Sequence, residues 1–401
     1  MDLLLASIII FYSLVLIWII ANRKKFQIES KIIALYKTSI GIKFIDNVGK
    51  KYSELIKILG YIGIGVGFIG MVYMSWYLTT GFYNLFFKPE AAAVISPVIP
   101  GVKIPGAAVF VPFWYGIFSL FVVTIVHEAA HGVVAKAHGL KINATGIAFF
   151  GPILAAFVEP DEKQLRKQKD IVQYSIFAAG PFSNVLLALL AIFVLGAVFA
   201  PLQNAMVKTE GYSFYAITPY GAAFNASVPA SVVFNDLNGV KIDSERQFVQ
   251  IISNLKPGDL VTISNKENTY SFNAVPSPAN ASKALIGISG TTQDSIVQIV
   301  KSKELKEDNS FNRIAYVVLE VLNKLLFWIF ALSFGIGLAN LLPLGPVDGG
   351  RMFQIASEKI IGNKEKANNV WVKVGFITLM IIVILLIVPI IRELLKNIKI
   401  F

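Results

Sequence analysis

The run His127-Glu128-Ala129-Ala130-His131 combines residue types and a spacing that can do chemistry. A helix turns by about 100° per residue, so positions i and i+4 share a face. Two imidazoles on one face can hold a zinc ion, and an acid beside the first is placed to take a proton from water that the ion activates. The chemistry such a group supports is hydrolysis. Two histidines leave a hydrolytic zinc one protein ligand short, so the sequence must supply a third from elsewhere.

Three residues compete for that place. The extended zinc-binding pattern would put Gly at position 134 and His at 137, but the sequence has Val134 and Ala137, so His138 reads as a loop histidine. Glu159 is a carboxylate of the kind that completes some hydrolytic sites. Asp348 closes the segment Asn340-Leu-Leu-Pro-Leu-Gly-Pro-Val-Asp348-Gly-Gly350. Pro343, Gly345 and Pro346 end a helix and leave an irregular turn that can aim a carboxylate back into a helix bundle. By pattern alone the same turn fits a solvated aspartate equally well.

The elements that must position these groups are set by hydrophobicity. The 401 residues are 55% hydrophobic and only 15% charged, with a mean hydropathy of +0.65. Soluble domains run to roughly 45–50% and about 25%. Apolar stretches near 3–21, 57–78, 108–137, 172–200, 314–342 and 372–391 are each long enough to cross about 30 Å of hydrocarbon. The first is too long and too weakly basic at its front for a cleaved signal, so it reads as a retained helix. His127 and its neighbours fall near the end of the third stretch, where an ionisable group costs several kcal/mol and persists with a partner or a function. The net charge of +11 does not indicate nucleic acid, because Lys and Arg gather beside apolar stretches. Residues 22–56 hold eight of them, whereas 79–106 hold only Lys88 and Lys103, which places the first loop in the cytoplasm. Alternation puts 201–313 outside and 138–171 inside, in agreement with Lys163, Arg166, Lys167 and Lys169 but not with Arg392 and Lys396 near the C-terminus. With no cysteine, disulfides, thiolate metal sites and thiol nucleophiles are excluded.

Two stretches break this pattern. Asn143 to Pro160 is apolar but interrupted at Gly151-Pro152, which fits either a re-entrant hairpin lining a wet site or a peripheral loop. Residues 211–290 are richer in Ser, Asn and Pro and read as a small α+β insert. Its signals are an Asn238-Gly239 turn, an amphipathic helix from Glu245 to Leu255, Pro257-Gly258-Asp259, and an alternating strand from Leu260 to Ser264.

The chain resembles the site-2 protease family of intramembrane zinc metalloproteases from about residue 108 to 350. The resemblance is carried by His127-Glu-Ala-Ala-His131 on a membrane helix, Gly180-Pro-Phe-Ser-Asn184 in the fourth stretch, and Asn340 to Gly350. In the last segment Gly345 stands where the family has a second proline, while the step from Asn340 to Asp348 is kept. The resemblance implies Zn2+ held by His127, His131 and Asp348, Glu128 as catalytic base, and Asn340 and Asn184 as substrate-binding or oxyanion-binding groups. It also implies a membrane-protein substrate with a transmembrane segment, cut in contact with membrane lipid, with no nucleic acid involved. The expected architecture is an all-α polytopic membrane bundle of about six transmembrane helices, with a re-entrant β-like segment and an inserted α+β PDZ-like domain.

Its expected parts are N-terminal spans with a basic loop (1–107), a first catalytic half (108–210) with the re-entrant segment (143–160), the PDZ-like insert (211–290), a second catalytic half (291–350) and a last span (351–401). The expected setting is the cell membrane, with the site toward the cytoplasm and the insert outside. Two rival readings compete: a zinc or cation transporter, and a peptide-binding scaffold with a structural metal.

Overall fold

Among the described residues, six helices are long and apolar enough to cross a membrane, by length and composition. In hydrocarbon every backbone N–H and C=O must be satisfied within its own segment, and a helix does this. The computed structural model describes residues 3–29, 33–88, 94–107, 109–150, 153–230, 232–277, 280–289 and 297–397. By clustering of contacts the chain forms two compact units, Met1–Gly196 with Leu322–Phe401, and Ala197–Val321.

The first unit begins with α1 (Leu3–Ala21), followed by strands β1 (Phe26–Glu29) and β2 (Ile33–Thr38) and the short amphipathic helix α2 (Ile42–Lys51). The basic stretch 22–56, read from sequence as a loop, is therefore built structure. Helix α3 (Ser53–Phe87) has 35 residues. At 1.5 Å per residue it is about 52 Å long, well over the roughly 30 Å of hydrocarbon. Helix α4 (Phe113–Ala137) carries the His-Glu-His run and packs against α2, α3 and the next elements, β3 (Ile142–Phe150) and β4 (Ile153–Pro160). These two strands form an antiparallel hairpin, and β3 also pairs with β2 from Ile33↔Phe150 to Thr38↔Thr145. The four strands thus lie in the order β1-β2-β3-β4, with β4 at the edge nearest α4. Gly151-Pro152, the expected interruption, falls outside the described residues.

A single turn, α5 (Glu162–Leu165), is capped by Asp161, whose carboxylate accepts the N–H of Gln164. The long helix α6 (Asp170–Val194) follows and packs on both α3 and α4. A π-turn, Leu195–Phe199, and helix α7 (Ala200–Met206) prolong it.

The second unit contains β5 (Val207–Phe214), β6 (Ala216–Ile217), α8 (Ala222–Asn225), β7 (Asp236–Leu237), β8 (Val240–Lys241), α9 (Glu245–Ser253), β9 (Leu260–Ser264), β10 (Thr269–Asn273), β11 (Val275–Ser277), β12 (Asn280–Leu285), β13 (Ile288–Ser289) and β14 (Val297–Leu305). Its outermost pair, β5 with β14, runs from Val207 to Leu305, wider than the compositional stretch 211–290. Tyr212, Phe234, Leu237, Phe248, Val261 and Ile263 are fully buried in its core. The turn between β7 and β8 is Asn238-Gly239, with φ of 53° and 78°. Positive φ at both central positions is what a two-residue hairpin needs, and Asn-Gly tolerates it best. Helix α9 starts at Ser244, whose hydroxyl accepts the N–H of Gln247.

Helix α10 (Ser310–Ala339) then leads to a tight turn, α11 (Asp348–Ile361) and α12 (Lys364–Asn397). Arg392, whose charge argues against the simple alternation, donates to the carbonyl of Leu85 in the last turn of α3 at 2.9 Å. A cation there offsets the unpaired carbonyls and the negative end of the helix dipole. Removing the Phe248 ring is expected to cost about 3–5 kcal/mol, as for other buried Phe→Ala changes. Hydrogen exchange of Phe248→Ala should accelerate across 207–214 and 297–305; unchanged protection there would mean that the ring does not hold the unit together.

Candidate active site

The metal-ligand candidates converge in the first unit. His127 and His131 lie one turn apart on α4, 7% and 9% exposed, with their Nε2 atoms 3.2 Å apart. Asp348, the first residue of α11, places Oδ2 at 3.1 Å from His127 Nε2 and Oδ1 at 3.4 Å from His131 Nε2. Tetrahedral coordination at 2.0–2.1 Å separates donor atoms by about 3.3 Å, so the three side chains stand at the spacing that a zinc-sized ion requires.

A second observation agrees. A Cβ built on Gly180 would lie 2.3 Å from His131 Nε2 and 2.6 Å from His127 Nε2, inside the space that the two rings face. Glycine keeps that space open, and any side chain would fill it.

Each candidate ligand is aimed by its surroundings. His131 Nδ1 lies 2.7 Å from the carbonyl of Ile176 on α6. A hydrogen donated from Nδ1 leaves Nε2 with a free lone pair. Pro181 in the same helix lacks an N–H, which removes the bond to the carbonyl of Phe177 and loosens the turn next to Ile176.

Asp348 is placed by the turn after α10, where the N–H of Gly349 donates to the carbonyl of Asn340 at 2.7 Å. Cβ atoms at Gly349 and Gly350 would come within 2.4 Å of the carbonyls of Leu341 and Leu344, so the Gly-Gly pair lets α11 start against the turn's backbone. Trp371 Nε1 donates to the carbonyl of Gly350 at 2.9 Å and ties the same turn to α12.

Glu128 is half-buried, and its carboxylate lies with the two imidazoles in a group whose donor atoms are within 4.8 Å of one another. Its Oε2 accepts the N–H of Val158 on β4 at 3.0 Å. One turn earlier on the same face, Thr124 Oγ1 accepts the N–H of Ala156 at 3.2 Å. Four residues of helix rise by about 6 Å, close to the two-residue repeat of a strand, so α4 covers two successive N–H groups of the sheet's edge. This contact was missed in the sequence, where the hairpin's partner and register leave no local mark.

The other candidates fall elsewhere. Glu159 pairs with Lys37 of β2 at 2.6 Å and is 39% exposed, so its carboxylate is engaged across the sheet. His138 caps the end of α4, with Nε2 3.2 Å from Ser175 Oγ. Burial, reinforced by the charge of Lys57, holds its imidazole below the usual range. Asn340 is half-buried, and its main-chain carbonyl is the atom that closes the Asp348 turn. Asn184 is fully buried, with its amide 3.1 Å from His127 Nδ1. Gly180 stands in the Gly-Pro motif read from the sequence, but its role as the floor of the site appears only when α6 is laid against α4.

The Gly180→Ala protein should fold and lose its bound metal, measured as metal per chain after purification in detergent. Full metal content in that variant would mean that the two rings do not share an ion over Gly180.

Comparison with known proteins agrees with this arrangement. The sequence model of peptidase family M50 matches residues 115–382. An uncharacterized protein of Methanocaldococcus jannaschii is 27% identical, over 90% of this chain and 88% of its own length. A membrane-bound transcription factor site-2 protease homolog of Arabidopsis thaliana is 19% identical, over 57% of this chain and 42% of its own length. With the matched region spanning the His-Glu-His helix through Asp348, the chain belongs to peptidase family M50, the site-2 protease family of intramembrane metalloproteases.

Proposed function

We propose that this chain cuts membrane-protein segments at or within the bilayer, with zinc held by His127, His131 and Asp348 and with Glu128 as the general base. The observation that carries the reading is the approach of the donor atoms of three side chains, from α4 and α11, to 3.1–3.4 Å from one another beside Glu128. Zinc bound there supplies Lewis acidity, which makes water a stronger acid and polarises a carbonyl. Glu128 takes the proton of the attacking water and delivers it to the departing amine. Asn340 would hydrogen-bond the substrate backbone or the developing oxyanion, a role supported by its half-buried position in the turn that begins α11. A helical substrate shields its peptide bonds and must unwind locally. The β3–β4 hairpin beside α4 offers an extended neighbour for it, in a re-entrant position where irregular backbone is protected by protein.

The site faces the cytoplasm in this reading. Pairing of β2 with β3 puts the basic stretches 22–56 and 138–171 on one side, as the positive-inside rule asks of both. The insert then lies outside a multi-pass cell-membrane protein. Its two helices, its paired strands and the Asn238-Gly239 hairpin support a PDZ-like domain that receives chain ends or holds back bulky ectodomains. Membership of a peptidase family disfavours the cation-transport reading.

The test uses Glu128→Gln in vesicles that contain a panel of single-span reporter proteins. The variant should keep its metal and lose cleavage by about 10²–10⁴-fold, the usual worth of a general base. Cleavage near the wild-type rate would remove Glu128 from the mechanism. A strong zinc chelator should stop the wild-type enzyme, and added zinc should restore it.

A further inference from the structure

Asn184 is fully buried, at 0% relative exposure, and its side-chain oxygen has no hydrogen-bond partner among the described residues. The other end of its amide lies 3.1 Å from His127 Nδ1. A buried amide in contact with the free ring nitrogen of a metal-ligand candidate decides which tautomer that ring can adopt. We propose that Asn184 is a positioning residue which fixes the tautomer of His127 by accepting a hydrogen from Nδ1. This rests on the zinc reading above.

A neutral ring carries one N–H, and a ring that gives its Nε2 lone pair to a metal carries that hydrogen on Nδ1. His131 meets this demand through the carbonyl of Ile176. For His127, the group within reach of Nδ1 is the amide of Asn184, and a carboxamide can present either oxygen or nitrogen at the same place. With nitrogen toward the ring, Nδ1 must be bare. Nε2 then carries the hydrogen and donates to Asp348 Oδ2, 3.1 Å away. With oxygen toward the ring, Nδ1 donates and Nε2 is free. Metal binding therefore requires the second orientation, and the two ligands of α4 are aimed by the same helix, α6, through a main-chain carbonyl and a side-chain carbonyl eight residues apart.

The rest of Asn184 is held firmly enough for this. Its own main-chain carbonyl accepts the hydroxyl of Ser333 at 2.8 Å, and Gly337 of α10 lets its Cβ approach closely. Complete burial also separates this role from substrate contact, the role expected for Asn184 from its motif.

Zinc affinity of the purified full chain, by competition with a chromophoric chelator in detergent, tests the inference. Asn184→Leu should weaken zinc by about 10–100-fold, the usual effect of losing the group that orients a metal-bound histidine. Asn184→Asp keeps an acceptor at Nδ1 and should bind within a few-fold of wild type. Ser333→Ala, which removes the bond to the Asn184 main chain and spares the amide, should also bind like wild type. Wild-type affinity in Asn184→Leu would overturn the inference and return Asn184 to the substrate. Equal losses in the Leu, Asp and Ser333→Ala variants would overturn it too, by assigning the effect to packing of α6 on α10. No zinc in the wild type would instead count against the metal reading itself.

Discussion

Two imidazoles on α4, a helix long and apolar enough for hydrocarbon, and a carboxylate at the start of the short helix α11 are held within 3.4 Å of one another, and most of the first unit serves that placement. Groups of this kind are costly at membrane depth unless each polar atom has a partner. Partners come from every side: the Ile176 carbonyl and the Asn184 amide on α6, the Val158 N–H on β4, and the closed turn that begins α11. Close approach of those elements is possible because glycine occupies the contact points at 180, 349 and 350. The same packing leaves room for an ion and no room for a methyl group.

The sheet adds a second level of organisation. Its edge strand is fastened to the helix of the histidines by Thr124 and by Glu128, so the proposed general base and the hairpin share one hydrogen-bonded contact. An extended peptide that pairs along the same part of β4 competes with these two side chains for the N–H groups of Ala156 and Val158. In the proposed mechanism, substrate geometry and the position of Glu128 would be connected through the backbone of this one strand.

Much of this was legible in the sequence, for physical reasons. The histidine spacing is a helical spacing, and six apolar runs of bilayer length have few alternative fates. Asn238-Gly239 read as a hairpin turn because few other residue pairs tolerate its backbone angles. The strands at 26–38 were not legible. They are short and lie among basic residues; β1 pairs with β2, and β2 is fixed by pairing with β3, more than a hundred residues away in the case of Thr38 and Thr145. Glu159 was a fair ligand candidate by type, and only its pairing with Lys37 across the sheet removes it. Asp348 could not be separated from a solvated aspartate by pattern, because its aim depends on how Gly349 and Gly350 seat against the turn. Arg392, whose charge disagrees with the simple alternation, donates to the carbonyl end of α3, a contact that no local sequence signal marks.

The central claim is that α4 and α11 share one metal through Asp348. The most direct measurement is the zinc content of purified wild-type and Asp348→Ala proteins, with folding checked by monodisperse elution. The account predicts about one zinc per chain in the wild type and its loss in the variant. A folded Asp348→Ala protein with a full complement of zinc would contradict it.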